Sequence, residues 1–483
     1  MNEQSSTSSS DARLKHAMIY TPFPVAGLSD ATIDSGETDP SFNLYNPLES
    51  IRDTDRRQSR ETLNMAGSFT WEIFDDFKFK SEFGYDTYRN QDNRFYGLTT
   101  YYVKNTPAEE NKEKPAVVLK GTDRNTFRNT NTVSYDFEKL LGKDSDHHLN
   151  VMVGEEYIIK KEKVMTNTLH GFPVTFDADQ CFKLTTQGKA YEISDFYNPD
   201  DILFSFFGRV NYDYQSKYLF SATFRADGSS KFAEGNRWGY FPSAALAWRV
   251  SAEPFMEGTQ SWLDDLKLRL SYGTAGNNNI PTGVLVQTWN SQTTGWLNPT
   301  TIYWAPSKTM ANPDLKWETT ITRNIGLDYT LFGGRLNGTF EYYWNTTEDL
   351  LILFPTSGTG YDSQYRNMGK TQNTGFEASI NWIAVDKQNF GLSFNANIGF
   401  NKNKIKSLGM MNDFGQDSGW GSTAIGDDYW VAVGGQVGEM IGFRNDGRYE
   451  VSDFSGYDEL THKWILREGI VDCSSVIGDL RPG

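Results

Sequence analysis

The sequence predicts an all-β protein, an antiparallel β-barrel that crosses a membrane, and three observations carry that prediction. Apolar and polar residues alternate strictly along about a dozen segments, many of them about 9–13 residues long. Soluble strands average about 5–6 residues, whereas a strand tilted across a bilayer needs about 9–11. Tight turns and long polar loops succeed one another along the chain, the pattern of barrels with short periplasmic turns and long outer loops.

Taken in order, residues 1–60 are expected to be irregular, with weak strand signals around "HAMIYTPFPV". From residue 61 onward the alternation is plain. Phe77, Phe79 and Phe83 oppose Lys78, Lys80 and Glu82. Phe220, Ala222, Phe224 and Ala226 oppose Ser221, Thr223, Arg225 and Asp227. Leu266, Leu268, Leu270 and Tyr272 oppose Lys267, Arg269 and Ser271. In "RLNGTFEYYW", Leu336, Gly338, Phe340, Tyr342 and Trp344 share a face, and in "FGLSFNANIGFN" Leu392, Phe394, Ala396, Ile398 and Phe400 do. Successive strand side chains point to opposite faces, so each segment has one greasy and one polar side. Short turns are expected at 74–76, 214–217, 332–334 and 385–389, and long loops at roughly 89–124, 162–202, 276–314, 348–367 and 402–437. Residues 251–265 are too long for a tight turn and are expected to carry a helical turn after Pro254.

The 483 residues include 46 Lys and Arg against 62 Asp and Glu, a formal charge of −16. That balance argues against a nucleic-acid partner, because phosphate binding needs clustered cations. No run approaches the roughly 18 apolar residues of a membrane-spanning helix, which excludes helical spans and leaves barrels untouched. The two cysteines, Cys181 and Cys473, are too far apart in sequence for a zinc-site spacing and too few for a disulfide framework.

Longer stretches carry a family resemblance. The runs "FGRVNYDYQSKYLFSATFRADGSSKF" and "NRWGYFPSAALAWRVSAEPFM" closely resemble the barrel of SusC/RagA-like TonB-dependent outer-membrane transporters. So do "LKLRLSYGTAGNNN", "NPDLKWETTITRNIGLDYTLFGGRLNGTFEYYWNTTEDLL", "NMGKTQNTGFEASINW", "GEMIGFRNDG" and "IGDLRPG". The resemblance implies that residues 61–483 are part of a TonB-dependent receptor barrel, about 12–13 strands of a roughly 22-stranded whole. It implies an outer-membrane location and import of oligosaccharides or peptides with TonB energy. It also implies a SusD-like surface lipoprotein over the outer loops and a TonB complex acting through an N-terminal region. No apolar leader, TonB-contacting segment or plug domain is recognisable here, so the chain is expected to be an internal stretch of barrel.

Candidate substrate-binding residues are the aromatics of two long loops. Trp289, Trp296, Tyr303 and Trp304 lie in "VQTWNSQTTGWLNPTTIYWAP", and Trp420, Tyr429 and Trp430 in "DFGQDSGWGSTAIGDDYW". Flat rings beside Asn, Gln and Asp suit the apolar faces and hydroxyl rims of sugars, and suit peptides too; loop packing is the bland reading. Trp248, Tyr272, Trp344 and Trp382 at strand ends fit an interfacial girdle. His147 and His148 are adjacent, would diverge on a strand, and are read as a solvated turn. Asp446, Asp453 and Asp458, or Asp177 and Asp179, lack the calcium-loop spacing. Neither a metal nor a cofactor is expected. No nucleophile elbow, P-loop or HExxH motif is present, so no enzyme is expected. The competing readings are a soluble carbohydrate-binding or carbohydrate-active β-protein, which would need a second layer over the greasy faces, and a passive porin.

Overall fold

The computed structural model describes residues 51–104, 113–142, 145–197, 199–293, 302–356, 358–416, 427–442, 447–474 and 478–482. Most of the segment 1–60, expected to be irregular, therefore lies outside the described residues, and its end from Thr54 onward is paired strand rather than irregular. The chain runs through β1 (Thr54–Phe74), β2 (Phe77–Tyr96), β3 (Ala116–Asp136), β4 (His147–His170), β5 (Lys189–Tyr197), β6 (Asp201–Tyr214), β7 (Tyr218–Ser229), β8 (Trp238–Arg249) and β9 (Leu263–Asn277). Two loop strands, β10 (Trp289–Thr293) and β11 (Ile302–Pro306), precede β12 (Thr309–Met310), β13 (Glu318–Leu331) and β14 (Leu336–Glu348). Then come β15 (Leu351–Pro355), β16 (Ser363–Asn367), β17 (Lys370–Lys387), β18 (Phe390–Ser407), β19 (Asp413–Gln416) and β20 (Tyr429–Ala432).

One sheet of 13 strands makes the wall, in the order β1-β2-β3-β4-β6-β7-β8-β9-β13-β14-β17-β18, with β5 on the outer part of β4. Each wall strand is antiparallel to the next. Among the described residues the sheet does not close, and β1 and β18 are its edges.

The register makes the two faces continuous. Leu149, Tyr212, Phe220, Leu246, Leu270, Ile325, Tyr342, Phe376 and Phe400 are successive cross-strand partners from β4 to β18. One residue along, the partners are Asn150, Asn211, Ser221, Ala245, Ser271, Asn324, Tyr343, Gly375 and Asn401. A one-residue slip in any strand would exchange the rows, so the apolar pattern itself excludes such a slip. Phe224, Leu246, Leu270, Phe394, Ile398 and Phe400 stay exposed on the apolar face, with no second layer over them among the described residues. That is what a soluble sandwich would have to cover, and what a lipid-facing wall leaves bare.

The connections separate by end. At one end the strands turn at 75–76, 215–217, 332–335 and 388–389, with short helical turns at Glu138–Leu141 and Pro254–Thr259 in the two longer links. At the other end lie the described residues of the links 97–115, 171–200, 278–317 and 349–369. Several loops are shorter than the sequence led us to expect. Residues 89–96 and 116–124 belong to β2 and β3, 162–170 to β4, and 402–407 to β18. The end of β2, "RNQDNR", is polar on both sides and β3 opens on the apolar run "AVVL", so both pair in the ladder without showing alternation.

The tight turns are stitched to neighbouring hairpins. Gln215 and Ser216 both adopt positive φ, 55° and 52°, as a type I′ turn demands. The Ser216 amide donates to Asp213 Oδ1 at 2.6 Å, and Gln215 Nε2 donates to Asp146 Oδ2 at 2.8 Å. At the 332–335 turn, the amides of Gly333 and Gly334 donate to Asp264 Oδ2 at 2.7 and 3.1 Å. In a third link, Glu253 accepts from the Tyr218 hydroxyl at 2.5 Å and from Trp248 Nε1 at 3.0 Å.

Opposite ends of an outer-membrane barrel meet different compartments, which gives a direct check. Cysteine placed at exposed Thr359 should react with an impermeant maleimide on intact cells. Cysteine at exposed Gln388 should react only after the outer membrane is permeabilised. The reverse pattern would invert the topology.

Candidate functional site

Two surfaces can meet a solute: the polar face of the wall and the loops at the long-loop end. The polar face is organised by ion pairs rather than by single charges. Arg225 Nε donates to Asp227 Oδ1 at 2.6 Å, and its Nη2 reaches Glu156 Oε2 on β4 at 2.7 Å and Ser205 Oγ on β6 at 2.9 Å. Arg269 on β9 grips Asp328 on β13 through both nitrogens, at 2.9 and 2.7 Å, and reaches Glu341 on β14 at 2.7 Å. Gly326 makes room for it: a Cβ there would lie 2.8 Å from Arg269 Nη2. Near the long-loop end, Arg56 and Arg94 both bind Asp92. An open groove of about 570 Å³ lies along the wall, lined among others by Asp136, Asn150, Asn211, Asp213, Arg269 and Asn324.

The loops are built on small apolar cores. Phe232, Phe241, Ile280, Leu315 and Trp317 form a buried cluster that ties 230–237 and 278–317 together. Trp317 stands 5.4 Å from both Phe232 and Phe241 and donates through Nε1 to the Arg237 carbonyl at 2.8 Å. Phe241 fits because Gly276 faces it; a Cβ there would lie 2.1 Å from Phe241 Cζ. Loop 278–317 is then sewn to loop 349–369 by parallel pairing of β12 with β16 and by Asn312 Nδ2 donating to the Tyr365 carbonyl at 2.8 Å. A second cluster packs Phe172 and Cys181 against Phe95 and Val117, and burial pushes the Cys181 thiol up to about 11.

On this base stands the β10–β11 hairpin. Trp289 pairs with Pro306 and Trp304 with Ser291, so both tryptophans lie on one face, diagonal to each other across the two strands. Trp289 is 58% exposed and Trp304 68%, which leaves an aromatic platform open to solvent. Tyr303 pairs with Gln292 across the two strands. Trp296 and Trp420 lie outside the described residues. Tyr429 and Trp430 sit side by side on β20, half-buried and on alternate faces, paired with Gln416 and Gly415 of β19. Of the seven sequence candidates, the register brings Trp289 and Trp304 together.

The remaining candidates have local explanations. Trp248 and Trp382 lie on the apolar face at the short-turn end, and Tyr272 and Trp344 lie on it towards the long loops. His147 begins β4 rather than sitting in the turn, and its Nδ1 lies 2.8 Å from the Tyr212 hydroxyl. Asp177 caps a short helix by accepting from the Gln180 amide at 2.8 Å. The hydrogen bond from Arg57 holds the Asp179 carboxyl below the usual carboxylate range. Asp446 lies outside the described residues. Sequence reasoning missed Trp317, whose partners come from three separate segments, and Glu156, which closes the Arg225 network from two strands away.

Comparison with known proteins follows this geometry. A family model described as "TonB dependent receptor-like, beta-barrel" matches residues 2–467. TonB-dependent receptor P26 of Formosa agariphila is 33% identical over 356 residues, covering 72% of this chain and 34% of that protein. TonB-dependent receptor SusC of Bacteroides thetaiotaomicron is 36% identical over 252 residues, 50% of this chain and 23% of that protein. The solved structure of the RagAB peptide transporter superposes with a TM-score of 0.67 at 23% identity, covering 93% of this chain and 46% of that one. The chain thus spans less than half the length of each of these relatives.

Proposed function

This chain belongs to the TonB-dependent receptor-like β-barrel family of the outer membrane, and from that premise we propose that it supplies part of the wall and outer mouth of a SusC-type nutrient importer. The observation that carries the reading is the uninterrupted apolar row from Leu149 to Phe400 beside a row of polar and small residues from Asn150 to Asn401. Such a wall faces lipid on one side and a wet lumen on the other. The family is one of receptors and transporters, and the ion-paired lumen fits a conduit rather than a catalytic centre. The complete protein imports oligosaccharides or peptides, driven by TonB, with a SusD-like lipoprotein over the loops.

Trp289 and Trp304 make first contact with the solute on this reading. Their exposed rings offer flat apolar area at low entropic cost, and such anchors dominate binding energies. Replacing either with alanine in the complete protein should raise the concentration for half-maximal uptake about tenfold, roughly 1.4 kcal/mol. Uptake of labelled oligosaccharides and peptides by cells, with and without TonB, measures it. Unchanged uptake in both variants would remove the platform from the mechanism. Uptake that persists without TonB would favour a passive pore.

A further inference from the structure

Beyond the apolar band, towards the long loops, the outward face of β13–β18 turns from greasy to cationic. On β18 the exposed Phe394, Ile398 and Phe400 lie on the apolar face, and the positions that continue that face are Lys402 and Lys404. Lys402 pairs with Thr374 of β17, and Thr374 with Trp344 of β14. On β13, Arg323 pairs with Tyr272 of β9 and stands one step beyond the Asn324–Tyr343 pair, at the level of Trp344. One outward row therefore runs Tyr272, Arg323, Trp344, Thr374, Lys402. Aromatic rings on a lipid-facing wall mark the level of the headgroups. Arg323 and Lys402 lie at that level, and Lys404, beside Gln372 and Thr346, one step above it.

These cations are not neutralised within the wall. Others beyond the apolar band are paired: Arg89 with Asp123 at 3.8 Å, Lys161 with Asp200 at 3.3 Å and Lys370 with Glu348 at 2.5 Å. Lys402 and Lys404 are exposed and, like Arg323, make no ion pair among the described residues. The Arg323 guanidinium lies 5.8 Å from the Tyr272 ring centre, and its Nη1 3.5 Å from Thr346 Oγ1. The chain's own loop does not cover the lysines. Gly434 and Gly435 exchange backbone bonds with Ile405 at 2.8 and 2.9 Å, and the Val437 amide donates to Asn403 Oδ1 at 3.0 Å. Both Asn403 and Ile405 alternate with the lysines along β18.

We propose that this patch holds the phosphate-bearing headgroup of a lipid in the outer leaflet. Its place on the lipid side of the wall, level with the aromatic rings, selects a lipid over a solute. Its chemistry selects phosphate: two ammonium groups and a guanidinium surround the hydroxyl and amide donors of Thr346, Gln372 and Thr374. β13 and β18 are three strand spacings apart, about 14 Å, so Arg323 and Lys402 flank a bulky headgroup that a single free phosphate could not bridge. The proposal rests on the apolar face being lipid-exposed, which the Leu270 and Ser271 substitutions discussed below test independently.

The experiment titrates the complete protein, in a mild non-ionic detergent, with lipid A and with dephosphorylated lipid A, and counts bound lipid by native mass spectrometry. The phosphorylated form should bind about tenfold more tightly, since each lysine near an anionic headgroup contributes several-fold. Lys402→Gln combined with Lys404→Gln should remove most of that preference. Lys161→Gln, which removes a lysine already paired with Asp200, should leave it intact. Excess inorganic phosphate should not displace the lipid. Heat-modifiable migration verifies that the variants fold. Equal binding of the two lipids, or an equal loss with Lys161→Gln, overturns the proposal. So does displacement by inorganic phosphate, the mark of a free-anion site. A preference that survives in the double variant overturns it too, and loss of a co-purifying surface lipoprotein from that variant would then make the patch a protein contact.

Discussion

Arginine in place of Leu270 or Ile398 should destabilise the folded barrel by about 2–4 kcal/mol, the cost of a guanidinium near the bilayer midplane. Arginine one residue away, at Ser271 or Asn397, should cost less than about 1 kcal/mol. The contrast follows from the register. Leu270 sits between Leu246 and Ile325 in the apolar row, and Ser271 between Ala245 and Asn324 in the polar one. Ile398 and Asn397 stand opposite Ala378 and Ser379 in the same manner. Reversible folding of the complete barrel into lipid vesicles, followed by denaturant titration, measures all four. Equal penalties on both faces would refute the lipid-facing assignment.

The second large effect is expected at Arg225. Replacing it with methionine keeps much of the aliphatic stem but leaves Glu156 and Asp227 without their cation. Their side chains are 16% and 11% exposed, against 32% for Arg225 itself. Breaking a fully buried pair costs about 3–5 kcal/mol, and partial exposure here lowers the expectation to about 2–3 kcal/mol. The pairing bridges β4 and β7 over β6, so the loss should appear as a lower midpoint of the whole transition. Adding Glu156→Gln to Arg225→Met should recover part of the loss, because one stranded carboxylate is then neutral. A single variant as stable as the parent would mean that water already satisfies these groups.

The alternation of "YLFSATFRADG" made this legible in part. Greasy and charged residues at period two announce a wall, and Arg225 and Asp227 announce its wet side. What the local pattern lacks is the neighbour: Glu156 lies in a distant segment, and register alone brings it within 2.7 Å. Strand ends such as "RNQDNR" read as loop because, beyond the bilayer, both faces are polar while the ladder continues to Tyr96. The platform was legible as residue types. That Trp289 and Trp304 share a face depends on the pairing across the hairpin, which composition does not encode.

The carboxylate clips at the tight turns bear on how such a wall is assembled. A β-hairpin arriving at a growing sheet can dock two residues out of step and still set greasy against greasy, since the alternation repeats every second position. The rows of the wall therefore exclude odd slips and tolerate even ones. The turns do not. Asp264, at the start of β9, accepts from Gly333 and Gly334 across the next hairpin, and Asp146, ahead of β4, accepts from Gln215. Each clip counts residues from a fixed end, so an even slip of about 7 Å along the strand leaves the aspartate without its donors. Asp146 and Asp264 thus each carry a measuring mark for a neighbouring hairpin, and an even slip there costs the contact at the rim.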